Sequence, residues 1–245
     1  MNELIGGVDE AGRGSFLGRV YAGCVIWDDT VEHKWLKDSK KLTKEQRFEM
    51  RDFIIDNCIA WGIGYSNNEY IDKHGIVKAT MNAMHQSIDG IGLQVDHLYI
   101  DGNYYKPSTN SPKFTCFVKG DSLYKCISAA SILAKTFHDD HITDLCGKCP
   151  ELDSKYNLLS NMGYGTQNHI NGLKENGLVI NEWMANNTDS EQDEDGEFND
   201  WIEIYNTTNQ SINLAGYFIS NKANEATKYQ FPNFLHQSPP SKLFG

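Results

Sequence analysis

No run among the 245 residues approaches the roughly 18 consecutive apolar positions that a membrane-spanning helix needs. A secretion signal is missing too: Met1-Asn2-Glu3 leads straight into glycines, with no basic stretch and no apolar one behind it. A soluble, cytoplasmic protein is therefore expected. Cysteine is sparse, and in a reducing compartment the six residues Cys24, Cys58, Cys116, Cys126, Cys146 and Cys149 read as thiols, not as a disulfide framework. Cys146-Gly147-Lys148-Cys149 lacks the second Cys or His pair of a zinc site and follows a predicted helix instead of opening one, so no metal or redox role is expected of it. The chain also lacks internal repeats, and its 40% hydrophobic and 22% charged residues describe an ordinary globular protein of one or two domains.

Positive charge is scarce overall, for the net charge is −11. It is unevenly spread, because residues 186–245 hold 9 acids and only 3 bases. Earlier in the chain Lys34, Lys37, Lys40, Lys41, Lys44, Arg47 and Arg51 crowd one short stretch with three acids among them. Such a field suits a nucleic-acid backbone, and a solvated helix face is the alternative.

Leu4 to Asp9 and Arg19 to Trp27 read as two strands joined by a glycine-rich turn. Thr43-Lys44-Glu45-Gln46 has capping-box spacing and predicts a helix to about Asn57, and a second amphipathic helix is expected over Asp72 to Ile88. Further strands are predicted at Val95–Ile100 and Phe114–Val118, followed by a long helix rich in small residues from Leu123. Alternating strands and helices argue an α/β layered domain. Four carboxylates fall at element ends that a sheet would gather: Asp9, Glu10, Asp101 and Asp121. With no His or Cys among them, such a group favours a hard cation, Mg²⁺ or Mn²⁺, two of which can drive phosphodiester hydrolysis. Plain strand-end and capping roles are the alternative.

The order of local motifs is more specific. Asp9-Glu10-Ala11-Gly12-Arg13-Gly14, Leu36-Lys37-Asp38-Ser39-Lys40-Lys41-Leu42, Tyr99-Ile100-Asp101-Gly102, Lys119-Gly120-Asp121, Ser128 to Lys135 and Gly163-Tyr164-Gly165-Thr166-Gln167-Asn168-His169 follow one another. Over about residues 3–182 this series resembles ribonuclease HII. The resemblance implies a ribonuclease H-like fold, a mixed sheet flanked by helices. It also implies cleavage of the RNA strand of RNA-DNA hybrids and incision 5' to single ribonucleotides in duplex DNA, leaving 3'-hydroxyl and 5'-phosphate ends. Asp9, Glu10, Asp101 and Asp121 match the family's catalytic metal ligands, in a two-metal arrangement. On the substrate side it implies Gly12, Arg13 and Gly14, Ser39 and Lys40, and Tyr164 under the sugar at the RNA-DNA junction. Lys135 and His169 match more weakly, with packing and capping as their alternative roles.

Two departures stand out. Ser15-Phe16-Leu17-Gly18-Arg19 continues the turn where a proline commonly follows the second glycine, and His138-Asp139 replaces the usual Arg-Asp. The first adds a charge beside the turn and the second removes a permanent one. Ribonuclease HIII is the nearest enzyme rival, disfavoured by a metal motif that begins at Asp9 and by the Gly-Arg-Gly turn. A silent hybrid-binding adaptor is the rival of another class. No association helix stands out, so a monomer is expected.

From residue 186 the composition changes, with six acids between Asp189 and Glu197, and 186–197 is expected to be a flexible acidic linker. The predicted division is thus a catalytic domain over 1–185, this linker, and a β module over 198–245. Trp201–Tyr205, Gly216–Ser220 and Tyr229–Phe231 resemble the first strands of a lamin-tail domain, an immunoglobulin-like sandwich. About half the usual length is present, and Pro232–Gly245 is read as not continuing the pattern, as after truncation or a shifted frame. The layout of linker followed by module leads us to expect a complete tail to recruit the enzyme to DNA, membrane or protein.

Overall fold

The structure is a computed structural model. It describes residues 3–34, 36, 42–109, 111–176, 178–184, 201–206, 212–215, 218–219, 229–230, 235–236 and 241–244. Ser39, Lys40 and the expected linker at 186–197 lie outside the described residues. Contacts divide the chain into two units, Met1–Cys149 with Leu159–Gly165, and Pro150–Leu158 with Thr166–Gly245. That division does not coincide with the composition break at 186.

In the first unit the strands β1 (Ile5–Ala11), β2 (Val20–Ile26), β3 (Ala60–Ser66), β4 (His97–Asp101) and β5 (Lys113–Phe117) form one sheet of order β3-β2-β1-β4-β5. β1 runs antiparallel to β2, which runs antiparallel to β3, while β1, β4 and β5 are parallel, so the sheet is mixed as expected. All seven residues of β2 are buried, the signature of a strand covered on both faces. One face carries α1 (Lys44–Asn57) and the long α4 (Lys125–Lys148), with Val25, Met50, Ile54, Ala130 and Leu133 in its core. The other carries α3 (Ile76–Asp89), with Val8, Cys24, Ala83, Met84 and Leu98 between helix and sheet.

Thr43 and Gln46 close the capping box that starts α1: the Gln46 amide donates to Thr43 Oγ1 at 3.3 Å and the Thr43 amide to Gln46 Oε1 at 3.0 Å. The helix expected over Asp72–Ile88 is instead two, α2 (Asn68–His74) and α3, because Gly75 takes a positive φ of 80° and ends the first. The Cys146-to-Cys149 segment does not follow α4 but forms its last turn and cap. β3 is a strand that the sequence pattern did not reveal. Its glycines are there to admit α3: a Cβ on Gly62 would stand 2.1 Å from the Ser87 carbonyl oxygen, and one on Gly64 2.2 Å from that of Ala83.

Within the second unit lie the short helices α5 (Glu151–Tyr156) and α7 (Gln167–Asn176), while α6 (Leu158–Asn161) bridges the chain between the two sets of residues. β6 (Leu178–Met184), β7 (Trp201–Asn206) and β12 (Ser241–Phe244) make a sheet of order β12-β7-β6, antiparallel throughout. The expected strands at Trp201 and Tyr229 are present, the latter as β10 (Tyr229–Gln230) paired with β9 (Phe218–Ile219). β8 (Ile212–Asn213) pairs with β11 (Leu235–His236). Contrary to expectation, then, Pro232–Gly245 does continue the β pattern, through β11 and β12.

Gly62→Ala must push α3 off the sheet, and overpacking of this kind costs about 1–3 kcal/mol. A urea-unfolding midpoint unchanged by the substitution would show that the helix does not sit so close.

Candidate active site

Parallel pairing of Val8 with Ile100 brings the carboxyl ends of β1 and β4 to the same sheet edge, so Asp9, Glu10 and Asp101 are neighbours. Asp9 is buried, and its Oδ1 accepts the Glu10 amide at 2.7 Å while Ser131 on α4 supplies a side-chain hydrogen bond. Burial raises the Asp9 carboxyl well above its ordinary value, and the negative charges of Glu10 and Asp101 raise it further. Burial likewise raises Glu10, with Asp101 adding to it and Arg13 opposing through an ion pair of 3.2 Å. Asp101 Oδ1 accepts the Gly120 amide at 2.6 Å, and this bond anchors the turn that carries buried Asp121. Lys119, left-handed at φ 60°, opens that turn.

As they stand, among the described residues no three acidic, histidine or cysteine side chains surround one point closely enough to enclose a cation. Glu10 is drawn to Arg13. The donor set nevertheless fits a hard divalent ion: its atoms are carboxylate oxygens, those of Asp9 and Asp121 buried, and Asp9, Glu10 and Asp101 repel one another. Beside Glu10 and Asp101 a cleft opens between Arg13, Thr80, Met81 and Tyr104.

Next to the acids the chain turns sharply at Gly12, whose φ is 91° and whose absent Cβ would meet the Arg19 carbonyl oxygen at 2.5 Å. Its amide donates to the Tyr164 hydroxyl at 3.2 Å, and Ser15 and Tyr164 form a β-bridge. Arg13 and Gly14 are exposed on this turn, with the Tyr164 ring 3.9 Å from where a Gly14 Cβ would stand. Lys135 Nζ lies 4.9 Å from the Tyr164 ring centre and donates to Asp139 Oδ1 at 2.6 Å. His138 is fully buried, 5.7 Å from the same ring between centres, with Nδ1 3.2 Å from Asp139 Oδ1.

The structure thus gathers Asp9, Glu10, Asp101, Asp121, Gly12, Arg13, Gly14, Lys135 and Tyr164 in one unit. Lys135 is engaged by Asp139 and Tyr164. His169 belongs to the second unit, buried, its amide donating to Thr166 Oγ1 at 3.4 Å and its ring 6.3 Å from that of Tyr156. Asp139 was missed as a site residue, although its i, i+4 spacing from Lys135 was the signal.

The mixed sheet flanked by helices, with acids at the ends of β1 and β4, defines a ribonuclease H-like fold. A family model described as Ribonuclease HII matches residues 6–190, and one described as Lamin Tail Domain matches 173–241. The chain is 41% identical over 173 residues to Ribonuclease HII of Parabacteroides distasonis, covering 71% of this chain and 84% of that one. To the Neisseria meningitidis Ribonuclease HII it is 37% identical over 179 residues, 73% and 90% of the two chains. Among solved structures, ribonuclease H2 of Pyrococcus horikoshii superposes with a TM-score of 0.57 at 24% identity, over 70% of this chain and 85% of that one. A PCNA:RNase HII complex of Archaeoglobus fulgidus gives 0.55 at 25% identity, over 70% and 87%. The chain belongs to the ribonuclease HII family, and it is an endoribonuclease of the ribonuclease H type that depends on a divalent metal and acts on RNA-DNA hybrids.

Asp139 gives a test of how the site is held. Burial works to raise its carboxyl, but hydrogen bonds from His138 and Lys135 outweigh it and hold the group below its ordinary value of 3.8. A carboxylate depressed by folding stabilises the fold above its unfolded pKa and loses that contribution as pH falls toward the folded one. Asp139→Asn is therefore expected to cost about 1.5–3 kcal/mol at pH 7, the range for a charged hydrogen bond. The gap to the unaltered chain should close in unfolding curves taken as the pH is lowered below the ordinary aspartate range.

Proposed function

We propose that the chain cuts the RNA strand of RNA-DNA hybrids and incises duplex DNA 5' to a single embedded ribonucleotide, leaving 3'-hydroxyl and 5'-phosphate ends. The observation that carries this reading is the meeting, at one sheet edge, of repelling carboxylates with the Gly12 turn and Tyr164. Asp9, Glu10, Asp101 and Asp121 would hold Mg²⁺ or Mn²⁺. When bound, such ions supply an activated water and stabilise charge on the leaving oxygen.

The rest belongs to the chain itself. Asp9, fixed by the Glu10 amide and Ser131, is a rigid ligand, whereas Glu10 exchanges its partner Arg13 for the site. Released from Glu10, exposed Arg13 turns to a backbone phosphate. Gly12 and Gly14 let the main chain approach the sugar without a Cβ between, at the distance where a ribose 2'-hydroxyl can be told from hydrogen. Tyr164, its hydroxyl held by the Gly12 amide and its ring backed by Lys135 and His138, offers a flat surface under the sugar at the junction. Lys135 acts through Tyr164 as a positioning residue, and Ser39 and Lys40 add phosphate contacts on the basic stretch.

Asp9→Asn and Asp101→Asn are each expected to lower turnover on labelled hybrid by about 100-fold or more, as loss of a fixed electrostatic group does, while binding of the hybrid is largely kept. Normal turnover in either variant would remove that ligand. Tyr164→Ala should depress incision at a lone ribonucleotide more than cleavage of a long hybrid, and equal losses on the two substrates would contradict the junction role.

A further inference from the structure

Packed against the Gly12 turn stands an arginine that the reading above does not use. Arg19 immediately precedes β2, and its carbonyl packs under Gly12, so its position is tied to the turn that approaches substrate. Its guanidinium lies 4.3 Å from the centre of the Tyr65 ring and donates to the Tyr21 hydroxyl. Tyr21 and Tyr65 are register partners across β2 and β3, their ring centres 5.5 Å apart, so the platform under Arg19 is rigid sheet. Tyr65 is 43% exposed, which leaves the cation at the surface.

Among the described residues no carboxylate lies within ion-pair distance of Arg19, whereas Arg13 has Glu10, Arg51 has Asp140 and Lys135 has Asp139. The groups facing it from α4 are His141, which burial and then the Arg19 charge hold below the ordinary histidine value, and Asp144, whose field reaches Tyr21 and His141. Thus Arg19 is a fixed cation with its planar donors unspent on acids, a form suited to an anion with paired oxygens.

Its location says which anion. The end of β1 with Asp9 and Glu10, the start of β2 and the end of β3 all lie at one sheet edge. Neighbouring strands are about 4.8 Å apart, so Tyr65 stands roughly 10 Å from the strand bearing Glu10. A duplex carries a charge about every 1.7 Å along its axis, so one seated with its scissile bond at the carboxylates runs phosphates past Arg19. Resting on the nuclease reading, we infer that Arg19, stacked on Tyr65, binds a backbone phosphate of the duplex flanking the cleavage position.

Each phosphate neutralised by a side chain contributes about 0.9 to the slope of log affinity against log salt for B-form duplex. The experiment is equilibrium binding of the full chain, by fluorescence anisotropy, to a labelled DNA duplex containing one ribonucleotide, in chelator and over a series of salt concentrations. Arg19→Ala is expected to make the slope shallower by about 0.9, and Arg19→Lys, which keeps the charge but not the planar stack, to restore the slope. Lys113→Ala is the charge-matched control: that exposed lysine starts β5 at the far edge of the sheet, and its loss should leave the slope as it was. A purely structural stack would lower stability without touching the slope. An Arg19→Ala slope equal to that of the unaltered chain, an equal loss in Lys113→Ala, or no salt-dependent binding by the unaltered chain would overturn the assignment. Cleavage with Mg²⁺ of the same duplex and of an RNA-DNA hybrid, run alongside, separates the two claims. A chain that cuts them but shows no Arg19 effect loses only the phosphate contact, whereas one that cuts neither loses the nuclease reading and the contact with it.

Discussion

Burying Asp9 beside Glu10 and Asp101 is the constraint that the rest of the first unit answers to. Ionised carboxylates cannot be packed against one another in a poorly solvated place without compensation, and Asp9 bears both burdens, burial first and its neighbours' charge second. Part of the compensation comes from α4, which brings Ser131 within reach of Asp9. That helix can come so near only because β1 and β2 carry glycine beneath it: a Cβ on Gly7 would stand 2.2 Å from the Cys126 carbonyl carbon, and one on Gly23 2.6 Å from the Ala130 oxygen. Small residues in the sheet and the electrostatics of the site are therefore one problem. On the proposed reading a divalent cation would supply the remaining compensation.

The Gly12 turn is supported in a different way, through a hub. Asp139 receives both Lys135 and His138, and these two flank the ring whose hydroxyl the Gly12 amide reaches. His138 shows how tight that arrangement is, for its Nε2 is buried with no hydrogen-bond partner among the described residues and lies 3.0 Å from where a Gly12 Cβ would be. Leaving such a group unsatisfied costs about 1–3 kcal/mol. The cost goes with a packing so close that only glycine fits above it, and the same closeness fixes Tyr164 relative to the Gly12 turn.

Much of this was legible from residue order alone. The acids at Asp9, Glu10 and Asp101 stood out because strand ends are short and punctuated by glycine, and Thr43 with Gln46 announced α1 through a local hydrogen-bond pair that needs no tertiary context. What could not be read was governed by long-range packing. β3 looks too rich in glycine for a strand, since the reason for Gly62 and Gly64 lies on α3, some twenty residues further along. Gly75 within an otherwise periodic stretch is tolerable in a helix, and only its positive φ makes it a break. Asp139 looked like one half of a departure from a motif, because its partners Lys135, His138 and, through them, Tyr164 come together only when α4 meets the Tyr164 loop. In the tail, Pro232 to Gly245 seemed featureless because strands of two to four residues are too short for periodicity to register.

A net charge of −11 sets the chain as a whole against a polyanion, yet range decides the matter. At physiological ionic strength the screening length is about 8 Å, so charges in distant segments weigh little at a surface site compared with those within a few strand widths. Residues 186–245 hold 9 of the 33 acids, and the stretch belongs to the second unit, whereas the site's edge is built from residues of the first. That edge carries Arg13, paired with Glu10, and Arg19, which has no acid partner among the described residues. Between them the carboxylates remain repulsive to a phosphate until divalent charge is added. On the nuclease reading proposed above, the edge by itself would grip the duplex to either side of the bond to be broken and repel it at the bond, so that metal would be required for the scissile phosphate to approach and not for the duplex to be held.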